Sequence, residues 1–174
     1  MCLILDTNSL AATLNPKDLR HADFLPVYNW IVNGKGKIVY GGSQIKKEYK
    51  ACQKYFRMLM NLEKRNKIVL LCDTAVDREQ KILKDKKSHR DFNDSHLLAM
   101  VIVSGVRIVC TAESRAIPFL KDRNLYPAPI KKPKIYSKAN NSTLLIDSNI
   151  ARICMPCVEK KSIITFHKGD TKHA

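Results

Sequence analysis

The sequence predicts an α/β domain built around a parallel sheet, and three observations predict it. Short β-branched apolar runs recur along the first two thirds of the chain, segments of helical periodicity separate them, and glycines punctuate the joins. The first run is Leu3-Ile4-Leu5, followed by Lys37-Ile38-Val39-Tyr40, Ile68-Val69-Leu70-Leu71-Cys72 and Val106-Arg107-Ile108-Val109-Cys110. Near-continuous apolarity without alternation is the pattern of strands covered on both faces, which in parallel sheets is the rule. Helices are expected over residues 24–32, 43–65, 74–86 and 88–103. Within 43–65, Ile45, Tyr49, Cys52, Phe56, Leu59, Met60 and Leu62 recur near helical spacing, while Lys46, Lys47, Lys50, Lys54 and Arg57 fall largely elsewhere, so one face is wet and basic.

Composition changes after about residue 126. Pro127, Pro129 and Pro133 interleave with Lys131, Lys132, Lys134 and Lys138, a mixture typical of a linker or solvated arm. The expected organisation is therefore an α/β domain over 1–126, a basic Pro/Lys arm over 127–141, and a small basic C-terminal β extension over 142–174. Strand-like runs in that extension lie at 143–146, 150–154 and 162–166, with Val158-Glu159-Lys160-Lys161 as a turn.

With 174 residues and 45% hydrophobic content the chain can form one packed core, which excludes collagen-like and disordered classes. Thirty-one Lys and Arg against sixteen Asp and Glu give a net charge of +15. Such an excess repels itself unless a polyanion offsets it, so nucleic acid is the expected partner. Asp6 interrupts the apolar start, which disfavours a secretion signal. The longest charge-free stretch, residues 95–106, is too short for a bilayer span of about 20 residues, so no membrane role is expected.

The six cysteines are scattered, and Cys2, Cys72 and Cys110 sit in or beside strands, where free thiols act as small hydrophobes; a reducing cytoplasm is the expected compartment. Cys154 and Cys157 with His167 and His173 supply the ligand types of a Cys₂His₂ zinc site. The nine residues between Cys157 and His167 suit that spacing poorly, and reduced structural thiols are the other reading.

In an open α/β sheet the binding crevice lies beyond the carboxyl ends of the strands. Asp6-Thr7-Asn8 follows the first run, Thr111-Ala112-Glu113 the fourth, and Glu48 lies on the helix after the second. Asp94 stands near the start of a helix that is apolar all round. Two carboxylates 4 Å apart repel by roughly 4 kcal/mol at an effective dielectric of 20, so such a cluster needs a cation or raised pKa values. Oxygen donors suit Mg²⁺ or Mn²⁺, and such an ion, set against a phosphodiester, polarises the P–O bond and makes hydroxide from water.

Each residue also has a plainer reading. Asp6 and Asn8 are good N-caps, Glu48 lies among lysines that could pair with it, Thr111 could cap a helix carrying Glu113, and Ser88 with Asp91 has capping-box spacing. Asn8 is expected to orient Asp6, and Asp91 to be auxiliary. Tyr126 and Tyr136 flank the lysine arm, with stacking on bases as their functional reading, and His89, near Arg90, is a further RNA-contact candidate at an exposed helix start.

These elements, in this order, resemble the PIN-domain ribonucleases over about residues 1–123. The resemblance rests on Asp6-Thr7-Asn8 after the first strand, Glu48 after the second, Asp94 with Ala99 on a buried helix, and Thr111-Ala112-Glu113 after the next strand. At the last position the family usually has Asp. The resemblance implies a PIN-like central parallel sheet flanked by helices and a Mg²⁺- or Mn²⁺-dependent endoribonuclease that hydrolyses single-stranded RNA. Asp6, Glu48, Asp94 and Glu113 would be its metal-binding catalytic acids, with Asn8, Thr111 and Asp91 supporting them. It also implies a homodimer, and an acidic antitoxin-like partner if the chain is the toxin of a two-protein module. Lys46, Lys47, Arg90, Arg115, Lys131, Lys132 and Lys134 are the expected nucleic-acid contacts, with DNA as an alternative polymer. The rival reading is a PIN-like nucleic-acid-binding protein with little catalysis, suggested by Glu113 and by the charge.

Overall fold

A computed structural model describes residues 2–155. Twelve elements alternate along it: β1 (Cys2–Leu5), α1 (Leu10–Leu14), α2 (His21–Val32), β2 (Lys37–Tyr40), α3 (Ser43–Ala51), α4 (Gln53–Lys64), β3 (Ile68–Leu70), α5 (Asp73–Lys86), α6 (Ser95–Ser104), β4 (Ile108–Cys110), α7 (Ala116–Lys121) and β5 (Lys134–Tyr136). The strands form one five-stranded, all-parallel sheet in the order β3-β2-β1-β4-β5. Every residue of β1 and β4 is buried, as their unbroken apolar runs require. The chain moves outward from β1 to β2 and β3, then crosses back to place β4 on β1's other side. Strand order therefore reverses between β1 and β4, which opens a crevice at their carboxyl ends.

Two helices differ from expectation. The expected helix over 43–65 breaks at Cys52, whose φ/ψ of −87°/57° is not helical. No Gly or Pro marks the break. Its cause is tertiary: α3 buries Ile45 and Tyr49, and the Tyr49 hydroxyl donates to the Leu5 carbonyl, while α4 buries Leu59 and Leu62 on its own course. The expected helix over 88–103 instead starts at Ser95, so Ser88 and Asp91 form no capping box; the Asp91 amide donates to His89 Nδ1. Residues Ser95 to Val101 are all buried, and Gly105 ends the helix at φ 68°, its N–H bonded to the Val101 carbonyl at 2.8 Å.

The start of α3 is held from α5. Asp73 accepts from the Gly42 N–H at 2.8 Å and from Lys46 Nζ at 2.5 Å, and Asp77 accepts from the Ser43 N–H and hydroxyl at 2.8 and 2.6 Å. Two aspartates thus cap in trans the amides that a helix N-terminus leaves unpaired. Gly42 has φ +93°, and a Cβ there would lie 2.6 Å from Val76 Cγ1. Gly42→Ala is expected to destabilise the protein by about 2–3 kcal/mol through left-handed strain and overpacking. Urea unfolding checks this, and a change under about 0.5 kcal/mol, the usual range for a neutral surface position, would show that the turn relaxes freely.

The Pro/Lys arm is not a free linker. Residues 134–136 form β5, pairing in parallel with β4, and Tyr136 is fully buried against Phe24 with its hydroxyl on the Asp23 carbonyl. Tyr126 is buried as well, donating to the Leu120 carbonyl. Both tyrosines belong to the core and neither offers a ring to bases.

Where strands were expected at 143–146 and 150–154, the chain makes 3₁₀ turns over Ala139–Leu144 and Arg152–Cys154. Polar side chains supply the alternative to strand pairing. Asn141 Oδ1 accepts from the Ser137 and Lys138 amides, and Asn149 donates to the Leu144 carbonyl. The third expected strand, its preceding turn, Cys157, His167 and His173 lie outside the described residues.

Cys2 and Cys154 form a disulfide with Cα atoms 6.3 Å apart. This corrects the reading of both as free thiols, and it removes Cys154 from a zinc set with Cys157. The free-thiol argument for a reducing compartment falls with it. Cys52, Cys72 and Cys110 are free. No helix among the described residues is long and apolar enough to cross a membrane.

Candidate functional site

Asp6 is the first residue past β1, and its N–H continues the ladder onto the Cys110 carbonyl at 2.9 Å. Its side chain caps no helix. Instead Oδ2 accepts from the Thr111 hydroxyl at 2.6 Å and from Asn8 Nδ2 at 2.8 Å. Asn8 Oδ1 in turn accepts from the Ala112 N–H at 3.1 Å, so the turns after β1 and β4 are laced together around one carboxylate. The Thr111 hydroxyl also accepts from the Glu113 N–H at 3.0 Å.

Glu48, on α3, receives a donor on each oxygen: the Thr7 hydroxyl on Oε2 at 2.8 Å and Gln44 Nε2 on Oε1 at 3.0 Å. Among the described residues no lysine pairs with it in the manner of a surface bridge; neighbouring Lys46 is turned to Asp73 instead. Asp94 occupies the N-cap position of α6 but makes no capping bond, which leaves its carboxylate to the cleft. Glu113 is forked by Arg115, with Nε 2.9 Å from Oε1 and Nη2 3.3 Å from Oε2.

These parts face one cleft of about 540 Å³, lined by Asp6, Glu48, Asp94 and Glu113 together with Asn8, Asp91 and Arg115. Thr111 stands behind Asp6, fully buried. The electrostatics follow from that crowding. Burial, reinforced by the charges of Asp94 and Glu48, raises the Asp6 carboxyl from 3.8 to about 6, against the opposing hydrogen bond of Thr111. Asp94 is raised by burial and then by Glu48 and Glu113. Glu113 moves the other way, because Arg115 stabilises its charged form.

Among the described residues no three carboxylate, imidazole or thiolate groups are gathered tightly enough to coordinate one ion as they stand. The geometry supplies the reason: Glu113 is folded onto Arg115, and both oxygens of Glu48 are engaged by neutral donors. In kind the donors do fit a hard divalent cation, since all are oxygens and the raised Asp6 and Asp94 carry repulsion that a cation would relieve.

Of the expected nucleic-acid contacts, Arg115 reaches the cleft, Arg90 is exposed beside Asp91, and Lys47, Lys131, Lys132 and Lys134 are exposed. Lys46 is taken by Asp73, and Lys134 reaches Asn149 from the edge strand. Sequence reasoning missed Thr7, Gln44 and Gln80 and gave His96 no role. Gln80 did carry a signal: with Val76 and Leu83 it sits at helical spacing, a polar residue on a buried stripe.

No family model, no curated protein and no solved structure matches this chain.

Proposed function

We propose that the chain is a PIN-like, Mg²⁺- or Mn²⁺-dependent endoribonuclease that hydrolyses phosphodiester bonds of single-stranded RNA. The observation that supports it most is the meeting of Asp6, Glu48 and Asp94, from three separate elements, in one cleft at the reversal of strand order. The metal would be held by these three, joined by Glu113 once it leaves Arg115, and would supply polarisation of the phosphoryl group and a more acidic water. The chain's own residues do the rest. Thr111 and Asn8 hold Asp6 in one rotamer, Thr7 and Gln44 do the same for Glu48, and Arg115 offers two N–H groups at the mouth of the cleft to a backbone phosphate. The net charge of +15 draws the polymer in.

Incubation of the purified protein with single-stranded RNA and single-stranded DNA, each with Mn²⁺ or with EDTA, tests this reading. Cleavage of RNA in Mn²⁺ alone is expected; a preparation inert toward RNA in Mn²⁺ overturns it. The grip of Arg115 on Glu113 favours a second reading, a nucleic-acid-binding protein of the same architecture with little catalysis, for which RNA retention without cleavage is the expected result. If the chain acts as a toxin held by an acidic partner, its expression slows growth and Asp6→Ala relieves that effect.

Arg115 also yields a prediction of its own. Removing its charge frees Glu113, so Arg115→Ala is expected to tighten Mn²⁺ binding by about two- to fivefold, the modest scale of a solvent-screened ion pair, while weakening RNA binding in EDTA. Metal titration without RNA reads the first effect. Looser Mn²⁺ binding would show that the guanidinium supports the site instead of competing for it.

A further inference from the structure

Gln80 lies on α5, away from the cleft lining, and is only 7% exposed. A buried amide must place its donors, because an N–H taken from water and left unpaired forfeits its hydration with no return. Gln80 Nε2 donates to Ser95 Oγ on α6 at 3.2 Å and to Gln44 Oε1 on α3. With its oxygen claimed in this way, Gln44 can turn only its NH₂ toward the cleft, where it donates to Glu48 Oε1 at 3.0 Å and to the Asn93 carbonyl at 3.4 Å. A flipped Gln44 would set its oxygen against a carboxylate and its NH₂ against another NH₂. The relay therefore has one direction.

It also spans the distance that matters. Ser95 adjoins Asp94, and Glu48 is the acid facing it, so a bond from Ser95 through Gln80 and Gln44 ties the two across three helices. On the other oxygen of Glu48 stand Thr7 and, at 3.8 Å, the Nε2 of His96. His96 is 1% exposed, so its ring is packed into the core behind the acid. Among the described residues Glu48 is therefore held on Oε2 by the Thr7 hydroxyl and on Oε1 by Gln44, with the buried His96 ring packed beside Oε2.

We propose that Gln80 is a positioning residue, the buried amide that sets the direction of Gln44 and through it holds the Glu48 carboxylate facing Asp6 and Asp94. The proposal rests on reading Glu48 as a member of the acidic site, and the experiment separates the two. Gln80→Leu keeps the volume and removes the donors; Gln80→Met keeps the unbranched shape and removes them as well. In metal-free protein at fixed pH, both are expected to shift the side-chain carboxyl ¹³C resonance of Glu48. Titration with Mn²⁺ in the absence of RNA is expected to show affinity weakened by about 10- to 100-fold, the usual cost of losing a partner behind a metal ligand. Gln44→Leu should reproduce both effects, and Gln44→Leu with Gln80→Leu should be no worse than either alone, because they interrupt one path.

A Glu48 resonance and a Mn²⁺ affinity unchanged in Gln80→Leu overturn the proposal. If Gln80→Leu fails to fold, Gln80→Met decides it by the same two readings. Should the wild type bind no Mn²⁺, the nuclease reading falls, and the metal-free resonance of Glu48 alone upholds or rejects the relay.

Discussion

Asp94→Asn is expected to lower Mn²⁺-dependent RNA cleavage by about 10²- to 10³-fold, or roughly 3–4 kcal/mol of transition-state stabilisation, while leaving RNA binding in EDTA at or above the wild-type level. The substitution is nearly isosteric, and Asp94 makes no capping bond to lose. What disappears is one negative charge in a half-buried cleft, where a cation's binding depends on the summed charge of its ligands. Single-turnover cleavage with saturating protein isolates the chemical step, and a filter or gel assay in EDTA measures binding. Cleavage within threefold of wild type would remove Asp94 from the site and with it the geometric case for hydrolysis. Loss of binding together with cleavage would favour a structural role.

Asp6→Asn is expected to remove activity in the same way but to make the metal-free protein more stable. Folding raises the Asp6 carboxyl from 3.8 to about 6, so between those values the folded state holds more protons than the unfolded chain, and stability falls as pH rises. Above about pH 6 the full cost is present; at about 1.4 kcal/mol per pH unit it comes to about 3 kcal/mol. An amide carries no charge and escapes that cost, although its NH₂ forfeits the hydrogen bond from the Thr7 backbone, worth about 1 kcal/mol. The variant should therefore exceed wild type by about 2 kcal/mol at pH 7.5 in EDTA, with the difference shrinking as pH falls through 6 toward 4. Urea unfolding at several pH values measures it. Equal stability at pH 7.5, or a gap that widens toward acid, would mean that burial and the neighbouring acids do not penalise the Asp6 carboxylate. Activity and stability moving in opposite directions is the mark of a carboxylate kept for function.

The buried strands were legible because nothing but burial on both faces accounts for Leu3-Ile4-Leu5 or Ile108-Val109-Cys110. β5 was hidden for the opposite reason. It is an edge strand of three residues beginning with an exposed lysine and preceded by Pro133, so its local composition is that of an arm while its pairing is decided by β4. The break at Cys52 and the late start of α6 were equally invisible, since packing against other elements sets both. In the site, acids just past strands were readable from position alone. The fork of Arg115 onto Glu113 was not, and neither was the chain of amides behind Glu48, whose members lie 36 and 15 residues apart and meet only when α3, α5 and α6 are packed together. The disulfide was beyond reach as well, because six cysteines allow many pairings and nothing in the spacing prefers partners 152 residues apart.

That sulfur bond has a topological consequence. It closes the polypeptide from Cys2 to Cys154 into a covalent ring that contains the whole sheet and every acid of the cleft. A protease that cuts once inside the ring, for instance beside the fully exposed Leu19, opens the circle without dividing it, and the two fragments travel as one molecule until a thiol reductant parts them. A nicked chain therefore separates into its two fragments only on a reducing gel.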